Sequence, residues 1–182
     1  YILVGGGMAF TFLKAKGKEV GASLVDEEML SIAKSIMNKA RIQNVRLILP
    51  EDVICGGSID DQKPKGPFDI NSVPKNLMGL DIGPKTLARY NGILGESKTV
   101  VWNGPMGVFE KKGYEVGTRE MGIHLVSCIA NGTKVIVGGG DTASALDDFD
   151  LLEEMTHVST GGGASLELLS GNQLPALKVL EN

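Results

Sequence analysis

The sequence has few of the residues that nucleic-acid binding or a structural metal would need. Its 182 residues carry a formal net charge of −4, and arginine occurs four times, at positions 41, 46, 89 and 119. Because a phosphate backbone is bound by a basic face, this balance gives no support to nucleic acid as the main ligand. The two cysteines, Cys55 and Cys128, form no CxxC pair, so neither a zinc motif nor a disulfide framework is predicted.

Long apolar runs are also missing. No stretch approaches the roughly 20 apolar residues of a membrane helix, and no signal peptide is recognised. We therefore expect no membrane partner and a reduced, cytoplasmic setting. The chain starts at Tyr1, already inside an apolar run and without a methionine, so we expect it to be a piece of a longer protein.

Short apolar runs alternate with helical patterns along the chain. Strands are predicted at residues 2–4, 45–49, 78–82, 99–102, 134–137 and 157–159. Helices are predicted at residues 8–16, 26–41, 84–94, 114–130, 142–147 and 163–169, with Asp26 as the N-cap of the second. This alternation predicts a three-layer α/β/α, Rossmann-like domain with a mostly parallel sheet and no evident internal boundary. Residues 56–74 interrupt the pattern and are expected to form a loop or an antiparallel excursion.

Glycine is abundant, with 25 residues, and it clusters where predicted strands end. Such loops lie at residues 5–7, 103–107, 138–140 and 161–163. Glycine lets the backbone approach a ligand closely, and the helix that follows offers free N–H groups and a partial positive charge. Because the carboxyl ends of parallel strands share one edge of a sheet, the loops predict a phosphate-binding cleft lined by backbone amides.

Two alternatives remain open at the glycine loop of residues 138–140. The string GGGDTA fits the alanine variant of the dinucleotide fingerprint, which would indicate an NAD-dependent oxidoreductase domain. However, the next predicted strand, HVST, lacks the acid that would hold the ribose. Asp141 fits a Mg²⁺ ligand shared with phosphate oxygens or the N-cap of the following helix, and spacing does not decide between them. A P-loop is excluded because GK[ST] does not occur.

Several strings together resemble the C-terminal domain of the phosphoglycerate kinase family: GGGMAFTFLKAKG, SLVDEEM, MGLDIGPKT, VWNGPMGVFE, GGGDTAS and HVSTGGGASLELLSG. The resemblance covers nearly the whole chain and is poorest at residues 55–74. It implies that residues 1–182 are a nucleotide-binding domain and that an N-terminal substrate domain is absent from this chain. The implied glycolytic reaction is reversible phosphoryl transfer between 1,3-bisphosphoglycerate and ADP, giving 3-phosphoglycerate and ATP. The full-length protein is expected to be a cytoplasmic monomer.

The resemblance also implies roles for individual residues. The adenine slot would be lined by Gly5, Gly6, Gly7, Leu24, Gly79, Leu80 and Val108. Glu110 would hold the ribose hydroxyls, while Asn103, Gly104, Pro105 and Phe109 would flank the sugar and the phosphates. On the loop of Gly138, Gly139 and Gly140, Asp141 would hold Mg²⁺ and Thr142 a phosphate of ATP or ADP. The catalytic residues would be Gly161, Gly162 and Gly163, whose amides would face the migrating phosphoryl group.

The acid substrate of this family binds on the N-terminal domain. Phosphoryl transfer also needs domain closure to bring both substrates together and to exclude water. We therefore expect this chain alone to bind nucleotide with little or no turnover.

Overall fold

The computed structural model describes residues 1–159, 163, 167 and 169–171, which divide into two compact units. Unit 1 contains Tyr1–Ile93 and Pro105–Met121, and unit 2 contains Leu94–Gly104 and the residues from Gly122 onward. Two of the boundaries between these units fall inside helices predicted from the sequence, so no Gly-, Pro- or Ser-rich linker marks them there.

Unit 1 combines a short parallel pair of strands with an antiparallel sheet. Its elements are β1 (Ile2–Leu3), α1 (Met8–Ala15), α2 (Leu30–Ile42), β2 (Leu47–Ile48), β3 (Asp52–Gly56), β4 (Lys65–Asp69), β5 (Met78–Ile82), most of α3 (Pro84–Gly95) and the start of α4 (Val116–Ala130). Strand β1 pairs in parallel with β2, and β3 lies between β4 and β5 and is antiparallel to both.

Unit 2 is built on a parallel sheet with the strand order β6-β7-β8. Its elements are β6 (Thr99–Asn103), the later part of α4 (Val116–Ala130), β7 (Lys134–Gly138), α5 (Gly140–Asp148), a 3-10 helix (Leu152–Glu154) and β8 (His157–Ser159). The central strand β7 buries Val135 and Val137 completely. This burial explains why its sequence is an apolar β-branched run.

Among the described residues of unit 1, two hydrophobic clusters of the core involve α1. Phe10 and Leu13 pack with Val53 of β3 in the first cluster. Ala9 and Phe12 pack with Ala33 of α2 in the second. Adjacent faces of one short helix therefore pack against different neighbours, which agrees with the burial of most of α1.

The predicted α/β, Rossmann-like fold is confirmed, and five of the eight described strands pair in parallel. Strand β5 differs from the expectation of a mostly parallel arrangement, because it pairs antiparallel with β3. The chain between these two strands has no helix to form a parallel crossover. Residues 56–74 were expected to form a loop or an antiparallel excursion, and the second alternative is confirmed because the segment contains β4, which pairs antiparallel with β3.

Two local predictions were wrong. Strand β3 was not predicted, because its first residue is Asp52, whose charge is accommodated only by a distant helix terminus. Helix α2 begins at Leu30 with Met29 as its N-cap, so Asp26 is not the cap. The Asp26 carboxylate instead accepts the Met29 N–H at 3.2 Å in the turn that precedes the helix.

Candidate functional site

In unit 2, the carboxyl ends of neighbouring parallel strands bring several predicted residues into one row. Asn103 at the end of β6 lies opposite Gly138 at the end of β7, and Gly138 lies opposite Ser159 of β8. The Asn103 side chain also lies beside Gly139, close to where a Cβ of that residue would stand. This edge therefore has the geometry at which ligands bind in parallel α/β sheets.

A sharp turn connects β7 to α5. Gly139 is the N-cap of α5 and has a φ of 90°, a conformation that favours glycine. The Ala143 N–H donates to Gly139 O at 3.1 Å and is the first helical bond. The N–H groups of Gly140, Asp141 and Thr142 precede that bond, so they have no acceptor within the helix. The helix N-terminus can therefore offer three donors and a partial positive charge to an anion.

Asp141 lies in the first turn of α5 and its side chain is exposed. The N-cap alternative for this residue was wrong, because α5 begins two residues earlier than expected and Gly139 is the cap. Within the described residues, nothing donates a hydrogen bond to the Asp141 carboxylate. Its oxygens are therefore available as metal ligands.

Thr142 is fully buried, and its hydroxyl has two backbone partners. The hydroxyl donates to Gly138 O at 3.0 Å and accepts the Gly104 N–H at 2.7 Å. Gly104 has a φ of 91°, and its carbonyl accepts the Trp102 indole N–H at 2.8 Å. The Thr142 side chain thus connects two glycine loops, and only its backbone N–H remains for the predicted phosphate contact.

In unit 1, the glycines after β1 form a turn that packs against the segment after residue 104. The Gly6 N–H donates to Met106 O at 3.1 Å. A Cβ at Gly5 would overlap the Met106 thioether, and one at Gly6 would come within 2.8 Å of Pro105 O. Close approach of two backbones therefore explains these glycines without any ligand.

A groove of about 960 Å³ lies between α1 and α2 in unit 1. It brings together Gly7 and Leu24, two of the predicted adenine residues, and the exposed fraction of Leu24 is 67%. Seven of the other residues that line it are apolar, namely Met8, Phe12, Val25, Met29, Ile32, Ala33 and Ile36, and the remaining four are Thr11, Asp26, Glu27 and Glu28. Its apolar side chains could pack against a flat aromatic ring.

The two predicted adenine residues of β5 are less accessible. Gly79 faces the ring of Phe10, which occupies the space where a Cβ would lie. Leu80 is buried, but its carbonyl accepts the Val108 N–H at 2.8 Å. The structure therefore joins Leu80 to Val108 through the backbone and gives Gly79 a packing role.

The loop that carries the predicted ribose residue continues from Val108. Phe109 is half-buried and donates its N–H to Gly107 O at 3.0 Å, whereas Glu110 is exposed. Within the described residues, no hydrogen bond or ion pair involves the Glu110 carboxylate. The carboxylate is thus free to accept hydrogen bonds from ligand hydroxyls.

Asp81 is a functional candidate that sequence reasoning missed. Burial raises the pKa of this carboxyl to about 7, the backbone N–H groups of Gly117 and Ile82 oppose the rise, and the nearby Glu115 carboxylate adds to it. A signal was available, because an aspartate in the apolar run MGLDI needs a buried partner.

The predicted catalytic residues are described only in part. Gly161 and Gly162 lie outside the described residues. Gly163 is helical and exposed, and a Cβ there would meet no atom within 4 Å. Their assignment to the migrating phosphoryl group stays a prediction.

The described residues offer neither a clustered metal site nor a membrane-spanning helix. Within the described residues, no cluster of three or more His, Cys, Asp or Glu side chains could hold a metal ion. None of the described helices combines the length and the apolar character that a membrane span requires.

Comparison with known proteins identifies the family. The model of the family described as phosphoglycerate kinase matches residues 1–172. The chain belongs to this family. It is 45% identical over 181 residues to phosphoglycerate kinase of Prosthecochloris aestuarii and 44% identical over 182 residues to that of Thermosipho africanus. It covers 46% and 45% of the lengths of these two curated relatives, so it spans about half of each.

Solved structures of the family have the same fold. Phosphoglycerate kinase from Coxiella burnetii superposes with a TM-score of 0.91 and 44% identity over 98% of this chain and 45% of its own. The enzyme from Pyrococcus horikoshii OT3 gives a TM-score of 0.81 at 28% identity, over 98% of this chain and 44% of its own. The resemblance stated from the motifs is therefore confirmed at the level of the family and the fold.

Proposed function

We propose that this chain binds MgADP and MgATP as the nucleotide-binding part of a glycolytic phosphotransferase of the phosphoglycerate kinase family. The observation that carries the proposal is the N-terminus of α5, where three backbone N–H groups lack a helical acceptor and one exposed carboxylate lies in the same turn. A phosphate chain with a bound divalent cation complements both features.

The metal-ligating side chains of the described residues fit a metal ion that is shared with the nucleotide phosphates rather than one enclosed by protein ligands alone. Asp141 supplies one carboxylate, and the described residues contain no cluster of three acidic, His or Cys ligands around it. Mg²⁺ commonly binds through one or two carboxylates together with phosphate oxygens and water. When bound, Mg²⁺ would neutralise charge on the phosphates, and Asp141 would fix its position relative to α5.

The residues of unit 1 support the nucleoside part of the proposal. The groove of Gly7 and Leu24 would receive the adenine, and the exposed Glu110 carboxylate would accept hydrogen bonds from the ribose hydroxyls. Gly79 and Leu80 are covered by other residues, so any contact they make with the base would involve backbone atoms.

The proposed reaction is phosphoryl transfer between 1,3-bisphosphoglycerate and ADP, in a cytoplasmic monomer that includes an N-terminal substrate domain. Phosphoryl transfer depends on positioning and charge stabilisation, which backbone amides such as those of Gly161, Gly162 and Gly163 would supply. The 182 residues alone would bind nucleotide with little or no turnover, because the family's acid substrate binds outside them.

The alternative of an NAD-dependent oxidoreductase domain is not favoured, because the chain belongs to a kinase family. In addition, the residue opposite Gly138 on β8 is Ser159, and β8 contains no acid to accept the hydroxyls of a nicotinamide nucleotide.

Calorimetric titration of the purified chain with MgADP and, separately, with NADH tests the proposal. Saturable heat with MgADP and none with NADH is expected, and a coupled kinase assay with 1,3-bisphosphoglycerate should show little or no turnover. Binding of NADH without binding of MgADP would overturn the proposal, and turnover near the rate of a full-length relative would overturn its claim about activity.

A further inference from the structure

Asp81 is a buried carboxylate that none of the proposed nucleotide contacts uses. It lies within β5 and exposes 3% of its surface. Its Oδ2 accepts the Gly117 N–H at 2.7 Å, and its Oδ1 accepts the Ile82 N–H at 2.8 Å. Burying a carboxylate is unfavourable unless such donors surround it. An apolar side chain at this position would be more stable than a carboxylate if the residue only filled space in the core.

Residues 108–117, here called the anchored loop, comprise the loop before α4 and the first two residues of that helix, and both ends of this segment are attached to β5. At one end the Val108 N–H donates to Leu80 O at 2.8 Å. At the other end the Gly117 N–H donates to the Asp81 carboxylate. These two attachment points are consecutive residues of one strand, so the loop starts and finishes at the same place on β5.

The packing around Asp81 shows how closely the loop ends approach it. A Cβ at Gly107 or at Gly117 would overlap the Asp81 carboxylate. Beside it, the Met106 N–H donates to the hydroxyl of the buried Thr118 at 3.0 Å. The segment that enters the anchored loop and the first turn of α4 are therefore both in contact with this region.

We propose that Asp81 is a positioning residue for nucleotide binding: by attaching the start of α4 to β5, it fixes the anchored loop and thereby places Glu110 where the ribose hydroxyls bind. The inference rests on the proposed function, because the ribose contact of Glu110 is part of that proposal. Asp81 touches no ligand and acts only through the loop.

The variant Asp81→Asn tests the inference, because an amide can accept only one of the two N–H groups and turns its own NH₂ toward the other. Asp52→Asn is a matched control. Asp52 exposes 2% of its surface and accepts the N–H groups of Lys85 and Thr86 at the start of α3. The control therefore disturbs an equally buried carboxylate at a different helix terminus of unit 1.

Amide hydrogen exchange of the 182-residue chain measures the loop directly and does not depend on any ligand. Asp81→Asn should accelerate exchange across the anchored loop by about tenfold or more, while Asp52→Asn should leave that loop at the wild-type rate. Unchanged exchange in Asp81→Asn, or equal acceleration in Asp52→Asn, would overturn the inference.

A thermodynamic cycle then connects the loop to the ribose. Wild type should bind MgADP about tenfold more tightly than magnesium 2′,3′-dideoxy-ADP, because hydrogen bonds to Glu110 are lost with the hydroxyls. Asp81→Asn should bind MgADP about tenfold more weakly and should no longer discriminate between the two nucleotides. Asp52→Asn should discriminate as wild type does, since general destabilisation does not act on the ribose hydroxyls.

Undiminished discrimination in Asp81→Asn would contradict the positioning role. If Asp81→Asn does not fold, Gly117→Ala provides a second test, because its Cβ displaces the same attachment while the carboxylate remains; the same pattern is expected. If wild type binds neither nucleotide, the proposed function fails, and with it the link to the ribose. The exchange rates would then separately support or refute the attachment of the loop by Asp81.

Discussion

Replacement of Thr142 by valine should destabilise unit 2, because the side chain keeps its volume and loses its hydroxyl. The hydroxyl donates to Gly138 O and accepts the Gly104 N–H, and it is fully buried. Leaving two buried backbone groups without a partner costs about 1–3 kcal/mol each, and Gly104, which is half-buried, should be near the lower limit. We therefore expect the free energy of unfolding to fall by about 2–4 kcal/mol.

Two further variants calibrate this effect. Thr142→Ser keeps the hydroxyl and loses one buried methyl group, which should cost about 1 kcal/mol. Thr133→Val, also in unit 2, removes a single hydrogen bond, the one that its hydroxyl donates to Ser97 O at 2.9 Å. Its expected cost is about 1 kcal/mol. The predicted order of stability is wild type, then Thr142→Ser and Thr133→Val, then Thr142→Val.

Urea unfolding followed by tryptophan fluorescence is the suitable assay. Trp102 is the one tryptophan of the chain, is buried in unit 2, and donates its indole N–H to Gly104 O, within the loop that Thr142 contacts. With urea slopes of about 1–3 kcal/mol per molar, Thr142→Val should lower the midpoint by about 1 M or more. A midpoint equal to that of wild type, or above that of Thr142→Ser, would refute the reasoning.

Three other predictions concern unit 1. Tyr90→Phe removes the hydroxyl that donates to Val4 O at 2.7 Å, and should lower the free energy of unfolding by about 1–2 kcal/mol in urea titrations followed by circular dichroism; no change would refute this contribution. Burial raises the pKa of the Cys55 thiol to about 11, so a disulfide reagent at pH 8 should label it only after unfolding, and rapid native labelling would contradict the structure. Burial raises the pKa of Asp81 from an ordinary value of 3.8 to about 7, so ionisation of this carboxyl opposes folding. The free energy of unfolding should therefore fall as the pH rises from 4 to 7, by up to about 1.4 kcal/mol per pH unit. The same slope in Asp81→Asn would exclude Asp81 as the cause.

Much of the fold follows from local patterns in the sequence. The apolar runs at Met78–Ile82 and His157–Ser159 coincide with β5 and β8, and Pro84 begins α3 as expected. Strand β3 could not be predicted in the same way, because the Asp52 carboxylate is stabilised there by the N–H groups of Lys85 and Thr86 and by the Thr86 hydroxyl, more than 30 residues away in sequence. The pairing direction of β5 likewise depends on which strand it meets, which no local pattern encodes.

The candidate site is predictable in its backbone and less so in its side chains. Glycines after β1 and β7 mark turns that only small residues permit, so spacing alone locates Gly6 and Gly139. The burial of Thr142 was not predictable, because its partner Gly104 is 38 residues away in sequence. The hydrogen bond of Asp81 was unpredictable for the same reason, since its partner Gly117 lies 36 residues further along the chain.

The dependence of ADP binding on magnesium tests the central claim most directly. Affinity should be measured by calorimetry with excess Mg²⁺ and with EDTA for wild type, Asp141→Asn and Asp147→Asn, the last being an exposed acid in the final turn of the same helix. Wild type and Asp147→Asn should bind ADP at least about tenfold more tightly with Mg²⁺, and Asp141→Asn should lose most of that difference. An equal magnesium effect in all three proteins would contradict the assignment of Asp141 and the nucleotide site built around α5.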